Sequence, residues 1–294
     1  IAVPFKGPVL AENVFGDVTL RRYLDLDILI SKNDAAKAVE LLLDNGFIPE
    51  EETFPTGVGR GAYLEKVVWV SLIHPEKHIS VDLQWDISNR FTNLPITMEA
   101  MSERLELVEL TGREVVSLPV EELLCYLCLH GTKHRWLALD YVCCVAELVR
   151  VRKDIDWQYV EQYAKKIHCV NVLFLGLLLA RNILGAELPS SIEAKIGKEN
   201  NLNELAEKIC DGLFSDYRET MVVSEKFDPF LFQIKDSFMD RIVYLVKVVF
   251  IPSKEDLRLF NVPESFSFLR YILRPLRLIK KYCNRRYKTS TNKS

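Results

Sequence analysis

The chain has 294 residues, 49% of them hydrophobic and 27% charged, with a net charge of −3. That balance excludes a disordered polymer and provides enough apolar residues for one large or two medium domains. Seven cysteines, an odd number without regular spacing, imply no disulfide framework and suit a reducing, cytoplasmic setting.

The chain opens on IAVPFKG, a strand ending at Gly7 with no leader-like segment before it, so a further segment preceding Ile1 is expected. PVLAENVFGD follows as a short helix with Pro8 in its first turn, where the missing N–H is harmless. YLDLDILIS (23–31) alternates with period two and reads as a strand, yet it carries Asp25 and Asp27 among leucines and isoleucines. NDAAKAVELLLDNGF (33–47) is a helix capped by Asn33 or Asp34 and ended by Gly46. AYLEKVVWVSLI (62–73) and HISVDLQWDI (78–87) read as two strands joined by HPEK in an antiparallel hairpin.

From about residue 115 helical spacing takes over. Helices are predicted over 119–132, 134–152, 156–169, 170–185, 201–214 and 236–250, with one or two more in 263–283 interrupted at Pro275. The most apolar run, VNVLFLGLLLA (170–180), has the length of a core helix and falls short of the roughly 18 residues of a membrane span. The expected architecture is α+β to α/β: a mixed sheet with flanking helices in residues 1–115, then an all-helical domain in 116–294. From Glu264 onward there are nine Lys/Arg and one Glu, so a basic tail follows an acidic body. That tail reads either as a solvated face of an amphipathic helix or as a contact for an anionic surface, lipid or nucleic acid.

Residues i and i+2 of a strand share a face, so Asp25 and Asp27 project together and repel unless a cation lies between them. Carboxylate pairs of this kind suit Mg²⁺, or the similar Mn²⁺, with substrate phosphates filling the shell. Asp82 alternates within a second apolar strand. If the two strands are neighbours, three carboxylates converge, as phosphoryl chemistry with metal ions requires. Lys6 and Gly7 close the first strand before a helix, where backbone N–H groups and a lysine could meet phosphate oxygens.

FKGPVLAENVFGDVTLRRYLDLDILI resembles the KG…R…D-x-D signature of the uncharacterised bacterial nucleotidyltransferases called NTP_transf_5, within the DNA polymerase beta-like nucleotidyltransferases. VDLQWDI is similar to that family's D-L-H-W strand, and LCLHGTKHRW to its L-H-x-x-x-H-x-W helix motif. The resemblance implies a minimal nucleotidyltransferase core followed by helices. It also implies Asp25, Asp27 and Asp82 as metal ligands, Lys6 and Gly7 at the triphosphate, and Arg21 as the arginine before the acid pair. An NTP and Mg²⁺ or Mn²⁺ are the implied substrate and cofactor, and the acceptor is a small molecule, a protein or an RNA. The turn is Gly-Pro where the superfamily has Gly-Gly or Gly-Ser, Gln84 replaces the strand histidine, and Cys144 stands where an acid is expected. These departures motivate a second expectation, a nucleotide- or partner-binding module of the same fold without turnover.

Other readings stay open. Cys125, Cys128, His130 and His134 resemble a zinc ligand list, but helical spacing puts the cysteines on one side and the histidines on the other, so zinc is not expected. His130 and His134 either line the cleft or pack helices. Arg22 could take the role given to Arg21, and Lys6 could be an ordinary surface lysine.

Overall fold

The computed structural model describes residues 1–294 except 52, 53, 56, 58, 89–91, 93, 94, 198, 199, 215–226, 253–255, 257, 258, 260–265, 267 and 280–294. Five strands, β1 (Ala2–Pro4), β2 (Asp25–Ile30), β3 (Ile48–Pro49), β4 (Trp69–His74) and β5 (Ile79–Gln84), form one sheet in the order β1-β2-β5-β4-β3. β2 and β5 run parallel; the other neighbours are antiparallel, which makes the sheet mixed.

Period-two alternation sorts this sheet into two chemically different faces. Ile28 and Ile30 of β2, Leu83 of β5, and Val70 and Leu72 of β4 pack with Ala35 and Val39 of α2 (Ala35–Asp44) and Leu64 of α3 (Gly59–Leu64). The residues between them, Asp25, Asp27, Ser71, Asp82 and Gln84, therefore occupy the opposite face. Two carboxylates can stand in an apolar strand because only every second residue faces the core.

The strand predicted over 62–73 is shorter in the structure. Its first part forms α3, where Leu64 is buried and the Tyr63 hydroxyl donates to Glu51 at 2.9 Å; the strand begins only at Trp69. α1 (Gly7–Phe15) connects β1 to the loop before β2. A hairpin that periodicity reading passed over, β6 (Glu106–Leu110) and β7 (Arg113–Ser117), packs on α1 and β1. Its two-residue loop, Thr111-Gly112, has positive φ at both positions, the backbone of a tight type I′ turn.

A mostly helical region follows: α4 (Val120–Lys133), α5 (Leu139–Val151), α6 (Trp157–Lys166), α7 (Val170–Leu184), α8 (Ser190–Ile196) and α9 (Asn200–Phe214). α7 is buried without interruption from Val172 to Ala180 and packs against α4, α5, α6 and α9. The helix expected to start at His134 starts at Leu139 instead. The Trp136 N–H donates to Gly131 O (2.8 Å) and the Arg135 N–H to Thr132 O (3.0 Å), while Arg135 takes φ +52. This left-handed closure ends α4 and tucks Trp136 back under it, fully buried.

The chain divides into two compact units, Ile1–Glu219 and Thr220–Ser294. The second contains α10 (Pro229–Gln233), α11 (Phe238–Phe250) and a helix over 269–279. That last helix runs through Pro275, correcting the predicted interruption: the proline removes one N–H and the chain keeps its helical path. Arg274, 1% exposed, donates to the Val248 carbonyl from Nε (3.0 Å) and Nη2 (2.9 Å) and pairs with buried Asp256. Residues 280–294, which carry six of the nine basic residues of the predicted tail, lie outside the described residues.

Candidate active site

The turn between β1 and α1 is fastened to the acid-bearing strand. The Phe5 N–H donates to the Asp27 carbonyl at 3.2 Å. Gly7 has φ +62, and a Cβ there would lie 3.1 Å from the Asp25 carbonyl oxygen. Glycine is required on both counts, and it lets the N-terminus of α1, with its unpaired N–H groups, start directly against β2.

Register completes the cluster. Asp27 is the direct partner of Asp82 across the parallel β2–β5 pair, and Asp25 lies two residues before it on the same face. One carboxylate oxygen from each of Asp25, Asp27 and Asp82 lies within 4.8 Å of the others. All donors are oxygens, the chemistry preferred by a hard divalent cation such as Mg²⁺ or Mn²⁺, so the residues present fit that group.

Asp27 is 2% exposed. Its Oδ1 accepts from Lys6 Nζ at 2.7 Å and from Gln84 Nε2 at 2.7 Å. Burial pushes the Asp27 carboxyl above its ordinary range, against the Lys6 charge and hydrogen bond. Burial also raises Asp82, opposed by a hydrogen bond from Ser71. For Lys6, burial disfavours the charge, yet Tyr126 and Asp27 outweigh it and its pKa is raised. Lys6 is therefore a fixed ammonium among the carboxylates.

Replacing Lys6 with Met is expected to lower the melting temperature in metal-free buffer. The change leaves three neighbouring carboxylates without that cation, a loss of up to about 3 kcal/mol. Mg²⁺ should then raise the melting temperature more in the variant than in wild type. Equal Mg²⁺ shifts in thermal melts of the two proteins would contradict this electrostatic account.

A cleft of about 290 Å³ opens beside the acids. Lys6, Asp27, Asp82, Gln84 and Trp69 line it from the sheet side, and Tyr126, His130 and Lys133 from α4. Of the two predicted histidines, His130 lines the cleft while His134 packs behind it. The His130 and His134 ring centroids are 4.7 Å apart, and His134 stacks on Tyr141 at 5.3 Å. Arg21 sits elsewhere: its Nε is 3.6 Å from Asp140 of α5, and it also meets Cys144. The acid that α5 offers is thus Asp140, four residues before the cysteine read as its replacement. Tyr126, Lys133 and Trp69 were missed from sequence. Tyr126 and Lys133 share a helical face with His130, at spacings of four and three, and that spacing was the available signal.

Burial, then the charges of Lys133 and Lys6, push His134 down from 6.5 to about 4. A base with a depressed folded pKa takes its proton more readily in the unfolded chain. Its contribution to stability is complete above pH 6.5 and is lost as pH falls towards about 4. His134→Asn should reduce the slope of unfolding free energy against pH in that window, by at most about 1.4 kcal/mol per pH unit. An unchanged slope in denaturant titrations would show that His134 is not held neutral by its surroundings.

The profile of a family described as uncharacterised nucleotidyltransferase matches residues 2–185, from β1 through α7. No curated protein and no solved structure matches the chain.

Proposed function

Because the chain belongs to the family of uncharacterised nucleotidyltransferases, we propose that its cleft transfers a nucleoside monophosphate from an NTP to an acceptor hydroxyl or phosphate. The observation that carries this reading is the Asp27–Asp82 register, which gathers three carboxylates within 4.8 Å of one another, with Asp27 and Asp82 lining the cleft. Asp25, Asp27 and Asp82 would hold Mg²⁺ or Mn²⁺. Bound there, the cation supplies neutralising charge and polarises phosphate oxygens.

The chain's own groups do the rest. Lys6 and the N–H groups opening α1 at Gly7 would cradle the triphosphate, and Arg21 would add positive potential to the α4–α5 wall, where its charge reaches His130 and Tyr141. The acceptor oxygen forms its bond to the α-phosphorus, the α–β bridging P–O bond breaks, and pyrophosphate leaves with the electron pair. Asp82, with its raised pKa, is suited to take the acceptor proton. In this division of labour residues 1–115 hold metal and triphosphate, and the helical part from 116 supplies the opposing wall. The acceptor class is a small molecule, a protein or an RNA.

No helix among the described residues is long and apolar enough to cross a membrane. A nucleotide substrate and buried free thiols suit a cytoplasmic site of action.

The test is incubation with each NTP labelled at the α-phosphate, plus Mg²⁺ or Mn²⁺ and cell extract fractionated into protein, RNA and small molecules. Transfer of label with stoichiometric pyrophosphate supports the proposal and identifies the acceptor class; metal-dependent NTP binding with no label transferred to any fraction overturns it. One observation favours the second reading, binding without turnover: Asp27 Oδ1 is already engaged by both Lys6 and Gln84.

A further inference from the structure

The cleft presents two lysines whose circumstances differ. Lys6 is committed to Asp27 at 2.7 Å. Lys133, in the last turn of α4, lines the same cleft from the opposite wall, and none of the ion pairs among the described residues uses it. The charges that act on it are members of the site itself: Lys6, which disfavours its charge, and Asp27 and Asp82, which favour it. Lys133 is exposed overall, yet the cleft walls partly dehydrate it, the largest influence on its pKa, which is lowered from 10.5. An ammonium facing metal-ligand carboxylates across a cleft, without a carboxylate partner of its own, is arranged to receive an anion that bridges the gap.

We propose that Lys133 binds the terminal phosphates of the NTP, and hence the departing pyrophosphate, from the helical side of the cleft. This deepens the nucleotidyltransferase reading and rests on it. The α-phosphate would lie at the acids and the β- and γ-phosphates would extend towards α4. Lys133 then neutralises charge that grows on the leaving group as the α–β P–O bond breaks. The Trp136 N–H closes the end of α4 on Gly131 O, in the last turn that carries Lys133. A plain structural alternative exists, since a lysine in a last turn also complements the helix dipole.

Calorimetric titration with Mg²⁺-NTP and with Mg²⁺-pyrophosphate separates the two. Lys133→Gln should weaken both ligands by about 10- to 100-fold, the range for losing one charge-assisted hydrogen bond. Lys133→Arg should retain most of the affinity, and both variants should melt near wild type because Lys133 is exposed. Unchanged affinity of Lys133→Gln for either ligand would overturn the assignment. If in the same experiment Asp25→Asn/Asp27→Asn loses NTP binding, the nucleotidyltransferase reading survives and only the Lys133 role falls. If wild type binds none of the four NTPs, both fall.

Discussion

Asp25→Asn/Asp27→Asn protein is expected to bind Mg²⁺-NTP at least about 100-fold more weakly than wild type, while melting at the same temperature or higher. Outer-shell changes at metal sites already lower affinity or activity by about 10- to 100-fold, so removing two ligands should do at least as much. The stability half of the prediction follows from burial. Asp27 is almost completely enclosed and its carboxyl is pushed upward by desolvation, so its ionised form opposes folding. Asparagine keeps the shape and removes the charge. Isothermal titration with Mg²⁺-NTP and a melt in metal-free buffer check both halves. Retained metal-dependent affinity would move the nucleotide away from this cluster. A large drop in melting temperature would mean that pairing with Lys6 outweighs the cost of burying the Asp27 charge.

The second large effect is on stability. Trp136→Ala should reduce the unfolding free energy by about 3–5 kcal/mol, the range for truncating a large buried aromatic. For a unit of this size that corresponds to a fall of roughly 6–20 °C in melting temperature. Trp136 is fully buried and seals the crossing of α4 and α7. A Cβ added at Gly131 would lie 2.5 Å from its ring, and one added at Gly176 would lie 2.5 Å from Cys128 Sγ and 3.1 Å from the ring. Two glycines thus make room for one indole. Gly131→Ala should therefore destabilise wild type through the clash and stabilise the Trp136→Ala protein by filling part of its cavity. The same sign in both backgrounds would show that the glycine serves something other than the indole.

Much of the acid site was legible because a strand has a fixed period. Alternation places Asp25 and Asp27 on one face and Asp82 on the equivalent face of its own strand. Whether those strands were neighbours could not be read from spacing, since parallel pairing depends on a connection that crosses α2, β3, α3 and β4. The hairpin of β6 and β7 was passed over because its strands are short and half-exposed, and its Thr-Gly turn is less distinctive than Asn-Gly. The start of α5 was placed five residues early, at His134 instead of Leu139, for a similar reason. Arg135 and Trp136 adopt left-handed backbone without being glycine, so no residue marked the loop between the two helices. Lys133 escaped notice because a lysine near a helix C-terminus is ordinary in sequence. Only the fold shows which wall it lines.

The most direct test of the central claim is a crystal of wild-type protein grown with Mn²⁺ and a non-hydrolysable NTP analogue, measured at the manganese absorption edge. An anomalous peak in contact with Asp25, Asp27 and Asp82, with the triphosphate running from that peak towards Lys133, is the predicted result. A peak elsewhere, or nucleotide bound away from the three carboxylates, would contradict the assignment of this cleft as the active site.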